Sequence, residues 1–150
     1  MSIELLKKIQ LFKKLNLREI NQLGSISRSE TYSAGDIIIE ENTPGRALFI
    51  IKSGTVRVLK DELEEEKKER NLGLLYEGEH FGEMALIEDQ FTSAKIVADS
   101  EVEVITIARA DLEKLLENNH ELAAKIYYAI CQTLSERLRR ADMYILLLSE

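Results

Sequence analysis

Cysteine, proline and tryptophan are nearly missing from this 150-residue chain, which carries one cysteine, one proline and no tryptophan. A single Cys131 excludes an internal disulfide and suits a reducing compartment. No apolar run approaches the roughly 18 residues of a membrane span. The opening Met1-Ser2-Ile3-Glu4 places an acid early and lacks the apolar stretch of a secretory signal, so a cytoplasmic location is expected. Basic charge is also in deficit: 20 Lys and Arg face 27 Asp and Glu, a net −7 that argues against a phosphate-neutralising nucleic-acid binder. The chain does have enough apolar residues, 45%, for one domain spanning 1–150 with its own core.

No internal repeat is visible. Leu5, Leu6, Ile9, Phe12 and Leu15 recur at helical spacing, with lysines opposite. Asn16 and Glu19 stand three apart, as a capping box requires, ahead of Leu17, Ile20 and Leu23; Gly24 is expected to close that helix. From Thr31 to Ile107 the signals are strands and turns. Gly35-Asp36, Pro44-Gly45, Ser53-Gly54, Glu77-Gly78 and Gly82 punctuate short apolar runs: Ile37–Ile39, Leu48–Ile51, Val56–Val58, Leu72–Leu75 and Val102–Ile107. Helix resumes near Asp111, breaks at Asn118-Asn119-His120 and continues towards Leu148. The expected class is mainly β with flanking helices: N-terminal helices over 3–24, a double-stranded β-helix (jelly-roll) barrel over 31–107, and C-terminal helices over 109–148 ending in a long one. Between Lys60 and Arg70, six acids and four bases surround Leu63 alone; mixed signs read as a solvated connection rather than a docking patch.

The segment from Leu74 to Ala98 carries chemistry. Gly78 and Gly82 permit tight turns, and Glu83-Met84-Ala85-Leu86-Ile87 reads as one short helical turn. Backbone N–H groups opened by a glycine form an anion nest. A carboxylate beside them, Glu83, repels phosphate but accepts hydrogen bonds from sugar hydroxyls. Together these features point to a ligand with phosphate and hydroxyl groups.

Phe81-Gly82-Glu83-Met84-Ala85-Leu86 is similar to the start of the phosphate-binding cassette of the cyclic-nucleotide-binding domain family, found in catabolite activator protein and in protein kinase A regulatory subunits. Tyr32-Ser33-Ala34-Gly35-Asp36-Ile37-Ile38 resembles the family's entry strand, and Pro44 to Val56 its central strands. Leu11 to Leu15 and Asp111 to Leu116 also fit, so the resemblance covers roughly Leu11 to Arg140. It implies a non-catalytic sensor for cyclic AMP or cyclic GMP, with no cofactor required. The implied site is a phosphate nest and ribose contact built from Gly82, Glu83, Met84, Ala85, Thr92 and Ser93, with Glu83 on the ribose. The chain departs from the pattern at one place. Family members that bind the nucleotide carry an Arg near the cassette's end, preceded by Pro; here Phe91-Thr92-Ser93-Ala94 puts Thr92 at that position. A hydrogen bond to a charged group contributes about 1.5–3 kcal/mol, so the loss is expected to cost one to two decades of affinity unless Ser93, the turn backbone or Lys95 compensates. The alternative is a dimeric interaction or scaffold protein on the same fold, with a degenerate site.

Enzyme readings are poor. His80 and His120 are the only histidines and lack metal-ligand spacing, which disfavours a cupin-type metal centre. His80 is expected on a solvent-facing turn and His120 at a helix start. The last helix carries a second signal. Tyr127, Cys131, Leu134, Leu138, Ala141, Ile145 and Leu148 alternate in steps of four and three, a coiled-coil seam that predicts a parallel homodimer. Ile126 and Ile130, on an adjacent face, are expected to pack on the β-domain; within the dimer Cys131 is expected to face its mate as a buried thiol rather than a disulfide. By resemblance this helix caps the nucleotide base and reports occupancy to an unidentified downstream protein. No DNA-binding domain is expected after it, and no contact with nucleic acid or membrane.

Overall fold

The computed structural model describes residues 3–61, 69–88 and 91–149, with elements in the order helices, strands, helices. The charged Lys60–Arg70 segment falls mostly outside these residues. The N-terminal period resolves into α1 (Ile3–Lys7), a 3₁₀ turn (Gln10–Phe12) and α2 (Leu17–Ser25). The capping box at α2 forms as expected: Glu19 N–H donates to Asn16 Oδ1 and Asn16 N–H to Glu19 Oε1, both at 2.9 Å. Gly24 does not end the helix, which runs one residue further and is capped by Ile26.

Eight strands follow: β1 (Ser27–Tyr32), β2 (Ile37–Ile39), β3 (Ala47–Ser53), β4 (Val56–Asp61), β5 (Glu69–Leu75), β6 (His80–Phe81), β7 (Lys95–Ala98) and β8 (Val102–Ala108). All five predicted apolar runs are strands. β1 begins four residues before the expected start at Thr31, because Ser27 to Glu30 pair with Ile107 to Val104 although their side chains are polar. The ladders make two four-stranded antiparallel sheets, β1-β8-β3-β6 and β2-β7-β4-β5. The mainly-β class with flanking helices holds, but the expected barrel is not closed by hydrogen bonds, since among the described residues no ladder joins one sheet to the other.

Packing explains why β3 and β8 carry buried apolar residues at both odd and even positions. On β3, Leu48 and Ile50 join a core with Phe12, Ile20, Leu112 and Ile126 from the helices, whereas Ile51 and Phe49 face a second core containing Val56, Ile96 and Ala98 from the other sheet. β8 divides the same way, with Ile105 and Ile107 towards the helices and Val102 and Val104 towards the second sheet. Strands covered on both faces need apolar residues at odd and even positions alike. The turn between β3 and β4 needs Gly54, whose φ is +87° and whose missing Cβ would overlap the Glu101 carbonyl.

Three helices complete the fold: the short α3 (Glu83–Ile87), α4 (Arg109–Glu117) and α5 (His120–Ser149), 30 residues and about 45 Å long. His120 starts α5, as expected. Leu122, Ile126 and Ile130 bury the first half of α5 against the first sheet and α2. Lys125 donates to the buried Glu19 at 2.7 Å, tying α5 to the capping box. Burial raises the Glu19 carboxyl, but Lys125 and the Asn16 backbone outweigh it and leave the group below its ordinary range. Beyond Leu134, every residue of α5 through Ser149 is exposed except Arg137. No helix among the described residues is long and apolar enough to cross a membrane.

Candidate functional site

The site begins where β6 meets α3. β6 pairs with β3 through Phe81 opposite Phe49 and His80 opposite Ile50. The two phenyl rings stack in parallel, with centroids 5.0 Å apart. Gly82 then turns the chain with φ +85°, and a Cβ there would lie 2.7 Å from the Ala47 carbonyl oxygen. Only glycine combines that dihedral with that approach. The turn delivers Glu83 as the first residue of α3, its side chain directed inward and only 3% exposed.

Arg137 of α5 meets it. Its Nη1 donates to Glu83 Oε1 at 2.6 Å and its Nη2 to the His80 carbonyl at 2.5 Å. His80 Nδ1 lies 3.3 Å from Glu83 Oε2, without hydrogen-bond alignment. Glu83 Oε2, both His80 ring nitrogens and Arg137 Nε therefore lack hydrogen-bond partners among the described residues. Burial alone would push the Glu83 carboxyl up; the His80 ring and the Arg137 guanidinium outweigh it and hold the group below the usual carboxylate range. His80 itself is 1% exposed, which corrects the expectation of a solvent-facing turn. It belongs to β6, and α5 closes over it, a burial that its local turn-rich sequence does not signal.

Glu83 and Arg137 edge a cavity of about 980 Å³, between the second sheet and the distal half of α5. That is the upper end of the range of small-molecule sites. Ile39, Val58, Leu72, Leu74, Leu75 and Ile96 give it an apolar wall, and Arg137, Arg140, Ala141, Tyr144 and Ile145 close it from α5. Of the candidate ligand residues, Gly82, Glu83, Met84, Thr92 and Ser93 all line it, and Ala85 sits in the adjoining α3. Ser93 Oγ is 3.8 Å from Met84 Sδ. Lys95 is not among the lining residues.

Thr92 does something the sequence did not suggest. Its hydroxyl donates to the Glu40 carbonyl at 2.5 Å and accepts from Thr43 N–H at 3.0 Å, while its N–H donates to Thr43 O at 2.8 Å. Pro44 and Phe91 add an isolated bridge. The residue standing where the family has Arg is a clasp between the β2–β3 loop and the segment before β7.

The predicted seam divides. Leu138 and Leu148 are exposed at 63% and 71%, and Tyr127 is also exposed. Leu134 packs on the helix-side core, and Ala141 and Ile145 face the cavity. Cys131 is exposed in the single chain, because Ile130 takes the inward position beside it. Arg137 and Arg140, absent from the sequence-level site, lie three residues apart on this helix and reach the cavity. Only the Arg-rich run Arg137-Leu138-Arg139-Arg140 hinted at them, and it does not say which side chain points where. No group of three or more His, Cys, Asp or Glu among the described residues is placed to hold a metal ion.

Comparison with known proteins agrees with this geometry. Residues 29–119 match the family model described as the cyclic nucleotide-binding domain. The cyclic AMP receptor protein of Thermus thermophilus is 34% identical over 143 residues, 93% of this chain and 62% of that protein. A cGMP-dependent protein kinase of Caenorhabditis briggsae is 34% identical over 115 residues, 76% of this chain and 15% of the kinase. The chain thus spans less than two thirds of either relative. Among solved structures, the catabolite activator protein of Thermus thermophilus superposes with TM-score 0.77 at 32% identity, covering 93% of this chain and 63% of that one. A cyclic nucleotide-binding domain from Methylobacillus flagellatus reaches TM-score 0.83 at 28% identity, covering 96% and 80%. Fold, Gly82 turn, inward Glu83 and matched residues lead to one conclusion: this chain belongs to the cyclic nucleotide-binding domain family.

Proposed function

We propose that this chain is a non-catalytic regulatory module that takes a cyclic nucleotide, cyclic AMP or cyclic GMP, into the cavity between its second sheet and α5. The observation that carries the reading is the buried Glu83 carboxylate at the cavity wall, with Oε2 lacking a hydrogen-bond partner among the described residues. A buried acceptor in that state is costly unless a ligand donor satisfies it, and a ribose hydroxyl is such a donor. The phosphate then lies against the turn Gly82–Ala85, where the first N–H groups of α3 have no partner within the helix. Occupancy is signalled through α5, because Arg137 links that helix to Glu83. The exposed stripe with Leu138 and Leu148 supports a homodimer through α5 in the cytoplasm, passing the signal to a downstream protein. Calorimetric titration with cyclic AMP and cyclic GMP, repeated on Glu83→Ala, tests the reading. Saturable heat that Glu83→Ala removes is expected, and no heat at millimolar nucleotide refutes it.

The clasp made by Thr92 favours a second reading, a dimeric scaffold whose site no longer binds nucleotide. Its hydroxyl is engaged by Glu40 and Thr43 rather than offered to a ligand. Thr92→Arg discriminates. Binding that appears only in that variant identifies a degenerate site.

A further inference from the structure

We propose that Arg140 of α5, rather than a side chain of the 81–94 segment, supplies the cation that meets the phosphate of the bound nucleotide beside the Gly82–Ala85 turn; this rests on the cavity reading above. Three observations converge on it. Thr92, where the family places its cation, is neutral and has its hydroxyl engaged by Glu40 and Thr43. Arg137, the other cation among the described residues of the cavity wall, is committed to Glu83 and the His80 carbonyl. Arg140 lines the same cavity, is exposed, and has no hydrogen-bond or ion-pair partner among the described residues.

Geometry supports the assignment. Arg140 follows Arg137 by three residues, so it lies on the same face of α5 about 4.5 Å further along the axis. Arg137 spans the gap to Glu83, the first residue after Gly82, and an equal side chain one step along has the reach to approach that turn. The forked guanidinium suits two phosphate oxygens, which a lysine does not match. Charge argues the same way: with a net −7 on the chain, a nucleotide anion has little general attraction to draw on and needs a local cation. The anion contact would then come from the signalling helix itself, so the ligand's charge would pull directly on α5.

The test is calorimetry on the full chain with cyclic AMP, cyclic GMP and the uncharged nucleosides adenosine and guanosine. Arg140 is exposed and has no hydrogen-bond or ion-pair partner among the described residues, so Arg140→Ala should melt like the wild type. It is expected to weaken the better-bound cyclic nucleotide by about tenfold to a hundredfold. It should also flatten the salt dependence and leave the matching nucleoside unchanged. Arg140→Lys, keeping the charge without the fork, should fall between. Unchanged cyclic nucleotide affinity in Arg140→Ala overturns the proposal alone. So does an equal loss for nucleotide and nucleoside, which would place Arg140 on the sugar or base. Absence of any binding by the wild type overturns the cavity reading beneath it, a different outcome.

Discussion

Arg137 Nη1 and Glu83 Oε1 are 2.6 Å apart, joining α5 to the first residue of α3 across 54 positions of sequence. Because the same guanidinium holds the His80 carbonyl, one side chain fixes the approach to the Gly82 turn and the distal half of α5 together. Arg137→Ala leaves Glu83 buried without its charged donor. A loss of about 1.5–3 kcal/mol is expected. Hydrogen exchange should quicken over residues 138–149 and at 80–83, and leave the Leu122–Ile130 half protected. Uniform protection in the variant would show that α5 is held by something else.

Gly82→Ala meets two penalties at once, a φ of +85° and a Cβ 2.7 Å from Ala47 O. The expected destabilisation is about 1–3 kcal/mol from the dihedral alone, more with the contact. Chemical denaturation measures it. Gly35→Ala, also at positive φ but with nothing near its missing Cβ, is the control and should lose less.

Acid should unfold the protein through its two buried carboxylates. Glu83 and Glu19 both sit below the ordinary value of 4.5 in the folded state. A depressed folded pKa means stability that is present above 4.5 and disappears as pH falls through the folded value. Melting temperature should therefore drop below pH 4.5, and Glu83→Gln should flatten part of that drop. At the other extreme, burial and the Glu30 carboxylate push the Tyr32 phenol from 10.0 to about 12. A raised folded pKa gives stability that is present below pH 10 and lost as pH rises towards 12, a loss that Tyr32→Phe should reduce.

Thr92→Val removes the hydroxyl that accepts from Thr43 and donates to Glu40. Two hydrogen bonds at about 1 kcal/mol each set the expected scale. Faster amide exchange at Asn42 and Thr43 should accompany the loss. An unaltered exchange rate there would mean that the clasp does not hold the loop.

Dimerisation is testable on the exposed stripe. Leu138→Asp with Leu148→Asp places charges at two residues that are 63% and 71% exposed, so the single chain should keep its fold. Sedimentation velocity is expected to show a dimer for the wild type and a monomer for the double variant.

Much of this was readable along the chain. The capping box at Asn16 and Glu19, five strands, the short helix after Gly82 and the inward Ile126 and Ile130 all follow from local spacing and turn chemistry. β1 escaped because its residues are polar and its place comes from pairing with β8. His80 escaped because its burial is imposed by α5, 57 positions away. The split of the seam escaped because a heptad pattern does not distinguish a partner helix from the mouth of a cavity.

Local order alone settled the backbone devices: caps, glycine turns and apolar periods report interactions among neighbours, which spacing encodes directly. Scarce cysteine, proline and tryptophan excluded other architectures but placed no side chain. Folding in three dimensions assigned the roles within the site. It turned Thr92 into a clasp, paired Glu83 with Arg137 and set Arg140 on the cavity wall. Those roles depend on which distant charges burial brings within a few ångströms, and sequence separation carries almost no information about that.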